Sequence, residues 1–136
     1  MLKSLPEFRL VAMRDTLPKK INNHEATVVN LDSDDHTGTH WTLIYNNPND
    51  KDFVYYFDSF GIEAPNEVEK YLRTSGKKIL MNSSQLQNLN STMCGYFDCY
   101  VAKELSKGKS FYDVIYKLNQ IDSSKNDEFL KNYFHI

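Results

Sequence analysis

An α+β fold is predicted by three observations. Strand-like runs crowd the first half of the chain, helical patterns dominate the second, and two strong strand runs flank a turn-rich pentapeptide. Residues 8–13 form a short apolar segment, closed by Arg14-Asp15-Thr16-Leu17-Pro18. Residues 26–31 are rich in β-branched side chains and predict a strand, with the acidic Asp32-Ser33-Asp34-Asp35-His36 as the loop after it. Residues 40–46 and 52–59 are separated by Asn47-Pro48-Asn49-Asp50-Lys51, whose turn chemistry makes the pair an antiparallel hairpin. Residues 64–75 predict a helix, with Pro65 early, acids in the first turns and Gly76 as a stop. Residues 78–81 suit a further strand. The strongest helix covers 91–107, capped by Ser91 or Thr92 and ended by Gly108. Ser110-Phe111-Tyr112-Asp113 opens another helix, and 124–134 form a last one.

A chain of 136 residues suits a single domain, 1–136, that buries a core without staples. Nine Tyr and eight Phe against one Trp favour a β-rich portion with aromatic packing. The net charge of -2 supplies no positive field for nucleic acid, and the pairs Lys19-Lys20 and Lys77-Lys78 read as solvated faces. Only Cys94 and Cys99 occur; five apart on a helix they diverge by roughly 140°, which does not suit a disulfide. The expectation is a reduced, intracellular protein with no membrane attachment, since no stretch has the apolar length of a signal peptide or a span.

The chemistry lies in Gly38-Thr39-His40-Trp41, in Phe57-Asp58-Ser59-Phe60-Gly61, and in Gln87-Asn88-Leu89-Asn90-Ser91-Thr92-Met93-Cys94-Gly95. These supply an imidazole, a carboxylate, an amide and a thiol, the four groups of a cysteine hydrolase. Cys94 is the candidate nucleophile, His40 the base, Asp58 the orienting acid and Gln87 the oxyanion donor, acting with the backbone N–H of Cys94. Loss of such a donor slows catalysis on the order of 10²–10³-fold. Gly95 leaves room for a substrate backbone beside the sulfur. His24, His36 and His135 read as packed or surface residues, and Cys99 as core.

Two geometric expectations follow. If the hairpin folds symmetrically about Asn49, His40 lies directly opposite Asp58, with Cβ atoms roughly 4.5–5.5 Å apart; a one-residue slip would separate them onto opposite faces. On the helix, Cys94, Phe97, Val101 and Leu105 share one side, so burying that stripe brings the thiol to the sheet at a helix N-terminus, which favours the thiolate.

This constellation resembles adenain, the adenovirus-type maturation protease family, and is most similar to the compact relatives encoded by virophages and Maverick/Polinton-type elements. Gly-x-His-Trp, an apolar strand ending in an acid before x-Phe-Gly, and Gln-x-x-Asn-Ser-x-x-Cys-Gly carry the resemblance, over about residues 8–107. Residues 13–18 are also similar to a segment of those elements. The resemblance implies a papain-like fold, permuted so that the nucleophile comes last, with a small antiparallel-containing sheet packed on a central helix. It implies an endopeptidase for viral capsid and other structural precursors, cutting near Gly-Gly or Gly-x-Gly, in the infected cell and the virion. The roles of Cys94, His40, Asp58 and Gln87 carry over, with Trp41 and Gly95 on the substrate side. No cofactor or metal is implied, the partners are polypeptide substrates, and a monomer is expected. The adenovirus enzyme has Glu at the position of Asp58, is basic and stimulated by DNA, and binds an activating peptide through a disulfide. This chain is mildly acidic and its spare thiol, Cys99, is expected to be buried, so neither DNA nor such a peptide is expected to activate it.

Two other readings stand beside this one. A ubiquitin-like-modifier isopeptidase would use the same four groups, with the Asp32–Asp35 loop against a basic tail. A non-enzymatic zinc domain would draw on His36, His40, Cys94 and Cys99, but a turn-rich loop and a diverging helix oppose it.

Overall fold

A computed structural model describes residues 2–31, 40–88 and 91–136. The acidic loop that follows the strand at 25–30, with His36, Gly38 and Thr39, lies outside the described residues, as does Asn90. After a 3₁₀ turn at Leu2–Ser4, strands β1 (Phe8–Met13), β2 (Glu25–Asn30), β3 (Trp41–Asn46), β4 (Phe53–Phe57) and β5 (Lys78–Met81) form one sheet in sequential order. The outer pairs β1·β2 and β4·β5 are parallel, and the inner pairs are antiparallel. Helix α1 (Asn66–Arg73) connects the parallel pair β4 and β5, while α2 (Cys94–Ser106), α3 (Phe111–Asn119) and α4 (Ser123–Phe134) follow the last strand. The apolar segment at 8–13 is thus an edge strand, with a register shift between Phe8 and Leu10. The α+β architecture expected from the sequence, a small sheet with antiparallel pairs packed on helix α2, is the one observed.

Strand alternation builds two cores, because successive side chains point to opposite faces. Val28, Leu43, Tyr45, Tyr55 and Phe57 pack with Phe97, Val101 and Leu105 of α2. Val29, Ile44, Val54 and Tyr56 pack on the other face with Val68, Tyr71 and Leu72 of α1. With both faces covered, every residue of β2 is buried, polar Glu25 and Thr27 included. Glu25 is satisfied there by Arg9, Thr27, Tyr71 and the Asn22 N–H, which ties β1 and β2 to α1. The stripe Cys94, Phe97, Val101 and Leu105 is buried throughout, as its spacing requires.

Two local expectations are corrected. The hairpin turns about Asp50 rather than Asn49: Leu43 pairs with Phe57, Ile44 with Tyr56 and Tyr45 with Tyr55. The Asp50 carboxylate accepts from the N–H groups of both Asp52 and Phe53 at 3.0 Å, and this draws the apex onto Asp50. Helix α2 begins at Cys94, not at 91. Its N-cap is Met93, whose side chain makes no capping bond, and the Ser91 hydroxyl expected as a cap is engaged in closing the preceding loop.

Candidate active site

The corrected register displaces His40 from Asp58 by two residues, an even offset that keeps both on one face as diagonal neighbours. Diagonal separation is still within reach of an imidazole and a carboxylate: His40 Nε2 lies 2.8 Å from Asp58 Oδ1. A carboxylate only accepts, so Nε2 carries the proton and Nδ1 is left for the Cys94 sulfur. Nδ1 is buried and has no other hydrogen-bond partner among the described residues. Phe60 packs on the ring, centroid to centroid at 4.8 Å.

Asp58 is 1% exposed and is held by its own turn. Oδ1 also accepts from Phe60 N at 2.8 Å, and Gly61 N closes the turn on the Asp58 carbonyl at 2.8 Å. Gly61 has φ +73, and a Cβ there would stand 2.7 Å from the Ser84 carbonyl, so only glycine fits. Asn82 clamps the Asp58 backbone from both sides, accepting from its N–H at 3.1 Å and donating to its carbonyl at 2.6 Å. Sequence reasoning missed Asn82, because a lone Asn after a short strand carries no motif.

Cys94 occupies the first position of α2, where its sulfur accepts from the Trp41 N–H at 3.4 Å. Burial pushes this thiol up, but the His40 ring, the Trp41 N–H and the Gly95 N–H outweigh it, and the thiol is held below its ordinary value. The reciprocal holds for His40. Burial opposes its charge, yet the bonds to Asp58 and Cys94 raise it to about 9. Below about 9 the ring is charged beside a sulfur biased to the anion, so the pair favours thiolate–imidazolium.

Gln87 is fully buried. Its carbonyl accepts from the Ser59 hydroxyl, and its amide nitrogen donates to Ser91 O and Ser91 Oγ, each at 3.0 Å. Both amide hydrogens are therefore engaged within the chain, and no donor is open to a ligand in this arrangement.

Cys99 is corrected from core to groove wall. It is half-buried, and with Phe8, Val11, Trp41, Thr92 and Gly95 it lines an open, largely apolar groove of about 480 Å³. Burial above all raises its thiol to about 11. At Gly95 an added Cβ would meet nothing within 4 Å, so internal packing does not demand the glycine. Among the described residues no three His, Cys, Asp or Glu side chains converge as metal ligands, and His36 of the zinc reading lies outside them. No helix among them is long and apolar enough to cross a membrane.

Asp98, one turn after Cys94, also escapes a reading of the sequence, although an acid within the buried face of α2 is a visible anomaly. It is fully buried, and neither carboxyl oxygen finds a hydrogen-bond partner among the described residues. Burial first, then the Cys94 and Asp58 charges, push its carboxyl well above the usual range, which favours its protonated form.

No protein-family model matches the chain, and no curated protein does. Among solved structures it is similar to the selenomethionine form of the ASFV pS273R protease, with a TM-score of 0.60 and 22% identity, over 68% of this chain and 38% of that one. A second structure of the ASFV pS273R protease gives 0.57 and 19%, over 68% and 37%. The chain thus shares that fold while spanning well under half of the longer protein's length.

Because the folded state holds the Asp98 proton more tightly than the unfolded chain, whose carboxyl titrates near ~3.9, the contribution of Asp98 to stability falls as pH rises above that value. Asp98→Asn should therefore raise Tm at pH 7–8 and leave it nearly unchanged near pH 4. Thermal melts of both proteins at the two pH values measure this, and an equal shift at both would contradict a protonated Asp98.

Proposed function

We propose that this chain is a cysteine endopeptidase that processes capsid and other structural precursors of a virus or virus-like element, cutting at Gly-Gly or Gly-x-Gly junctions. One observation carries the reading. A thiol, an imidazole and a carboxylate from three separate stretches of sequence meet in the order a cysteine hydrolase needs, beside an apolar groove. The shared fold with a viral protease and the motif resemblance to the adenain family support it.

In this reading the Cys94 thiolate attacks the scissile carbonyl carbon. The C–N bond breaks as His40 Nδ1–H protonates the leaving amine, and a thioester to Cys94 remains. Neutral His40 then takes a proton from water, whose oxygen attacks the thioester; the C–S bond breaks and the thiolate–imidazolium pair returns. Asp58 keeps the ring oriented and stabilises its charge throughout. Gln87 and the Cys94 backbone N–H stabilise the oxyanion, Gln87 exchanging one of its bonds to Ser91 for that oxygen. Trp41 and Gly95 border the path of the substrate backbone.

Cys94→Ala should abolish cleavage of co-expressed precursors at Gly-containing junctions, and persistent cleavage by the mutant would remove the assignment. A covalent adduct with a C-terminally activated ubiquitin-family probe, without precursor cleavage, would favour the modifier isopeptidase instead.

Iodoacetamide at mildly acidic pH should label Cys94 rapidly and Cys99 barely, as read by peptide mapping. Hydrolysis should decline as pH rises through about 9, where His40 loses the proton it must deliver. Asp58→Asn should move that alkaline limb to lower pH; an unmoved limb would mean that Asp58 does not hold the charge on the ring.

Gly95→Ala should stabilise α2 by roughly 0.5–1 kcal/mol, since the methyl meets no protein atom. It should also lower kcat/KM for peptides by roughly tenfold or more, because the methyl intrudes on the substrate path. Paired melts and peptide kinetics test both halves.

A further inference from the structure

The loop between Asn82 and Cys94 is anchored from the C-terminal helix. Asn126 of α4 is fully buried and donates to the Leu86 carbonyl at 2.7 Å and to the Leu118 carbonyl at 3.2 Å. Its neighbour Asp127 accepts the Ser91 hydroxyl at 2.8 Å. A serine hydroxyl has one hydrogen to give. Once that hydrogen is committed to Asp127, the lone pairs of Ser91 Oγ must face the other way. They receive Gln87 Nε2 at 3.0 Å and Met93 N at 3.2 Å. On its far side Gln87 is held by the Ser59 hydroxyl, one residue beyond Asp58. One hydroxyl rotor thus supplies one of the three bonds that hold the Gln87 amide and also ties down the Met93 N–H immediately before Cys94.

We propose that Asp127, acting through Ser91, is a positioning residue for catalysis, locking the Gln87 amide and the entry to Cys94 in register. The inference rests on the reading of Gln87 as the oxyanion donor. The bond from Gln87 to Ser91 Oγ is the pinned one, and the bond to the Ser91 carbonyl is the one the oxyanion replaces. Helix α4, beyond the sequence motifs that mark the site, is then part of the apparatus that aims it. Without Asp127 the Ser91 hydroxyl hydrogen is no longer committed, its lone pairs are not pinned toward Gln87, and the amide is held only by the Ser59 hydroxyl and the Ser91 carbonyl, the second of which the oxyanion must displace.

The test is steady-state hydrolysis of a quenched-fluorescence Gly-Gly peptide by the full chain, normalised to titrated active sites so that unfolded protein does not count. Asp127→Ala should lower kcat by roughly ten- to a hundredfold with KM nearly unchanged, as expected when a reacting geometry is loosened while substrate binding stays intact. Asp127→Asn should recover most of the activity, because its amide oxygen still accepts the hydroxyl. Ser91→Ala should match Asp127→Ala, and the double variant should be no worse than either alone. Wild-type kcat in Asp127→Ala, failure of Asp127→Asn to rescue, or losses that multiply in the double variant would each overturn the proposal. Gln87→Ala separates the two levels. If it hydrolyses normally, the oxyanion reading itself fails; if it is crippled while Asp127→Ala is not, only the link through Asp127 fails.

Discussion

The bond between His40 Nε2 and Asp58 Oδ1 is the interaction on which the rest of the site depends. It joins the start of β3 to the end of β4, so it exists only because the hairpin keeps both side chains on one face. It decides which ring nitrogen is left for the sulfur, and it holds charge on a ring whose burial would otherwise expel it. Much of the surrounding loop serves this one carboxylate. Gly61 permits the tight turn, Phe60 N shares the same oxygen, and Asn82 secures the backbone on both sides. A charge-assisted hydrogen bond of this kind contributes about 1.5–3 kcal/mol, which explains why so many neighbours are given over to its geometry.

The Cys94 thiol arrives by a separate route. The buried stripe of α2 drives that helix onto the sheet through Phe97, Val101 and Leu105, and this packing carries Cys94 to the beginning of β3. Two backbone N–H groups, from Trp41 and Gly95, then face the sulfur, so main-chain dipoles reinforce what the imidazole does. Apolar burial places the thiol and polar contacts tune it. The two cannot be separated, since the same burial that positions the sulfur also opposes its ionisation.

Much of this is legible in the sequence. The hairpin, α2 and its buried stripe follow from periodicity and turn chemistry, and the His-Asp-Gln-Cys order follows from motif spacing. The register differs by two residues from the symmetric expectation because Asp50 recruits two N–H groups that no pattern of apolar residues discloses. Helix α2 starts later than its sequence suggests, and the Ser91 hydroxyl, expected as a cap, is committed to Gln87, Met93 and Asp127. Asn82 and Asp127 are invisible for a common reason: each acts on the site from a distant place in the chain through a single side chain. The edge strand at Phe8–Met13 reads only as an apolar segment because a bulged parallel edge lacks the alternation of a half-buried strand.

The two thiols of α2 also differ in what an oxidant can do to them. Cys94, biased to the thiolate, is the one peroxide attacks first, giving a sulfenic acid. Cys99 is about 7.5 Å further along the helix axis and turned away, beyond the roughly 7 Å reach of a disulfide, so it cannot resolve that species. Return of that sulfur to the thiolate therefore draws on a thiol from outside this pair, and continued oxidation leads toward the irreversible acids.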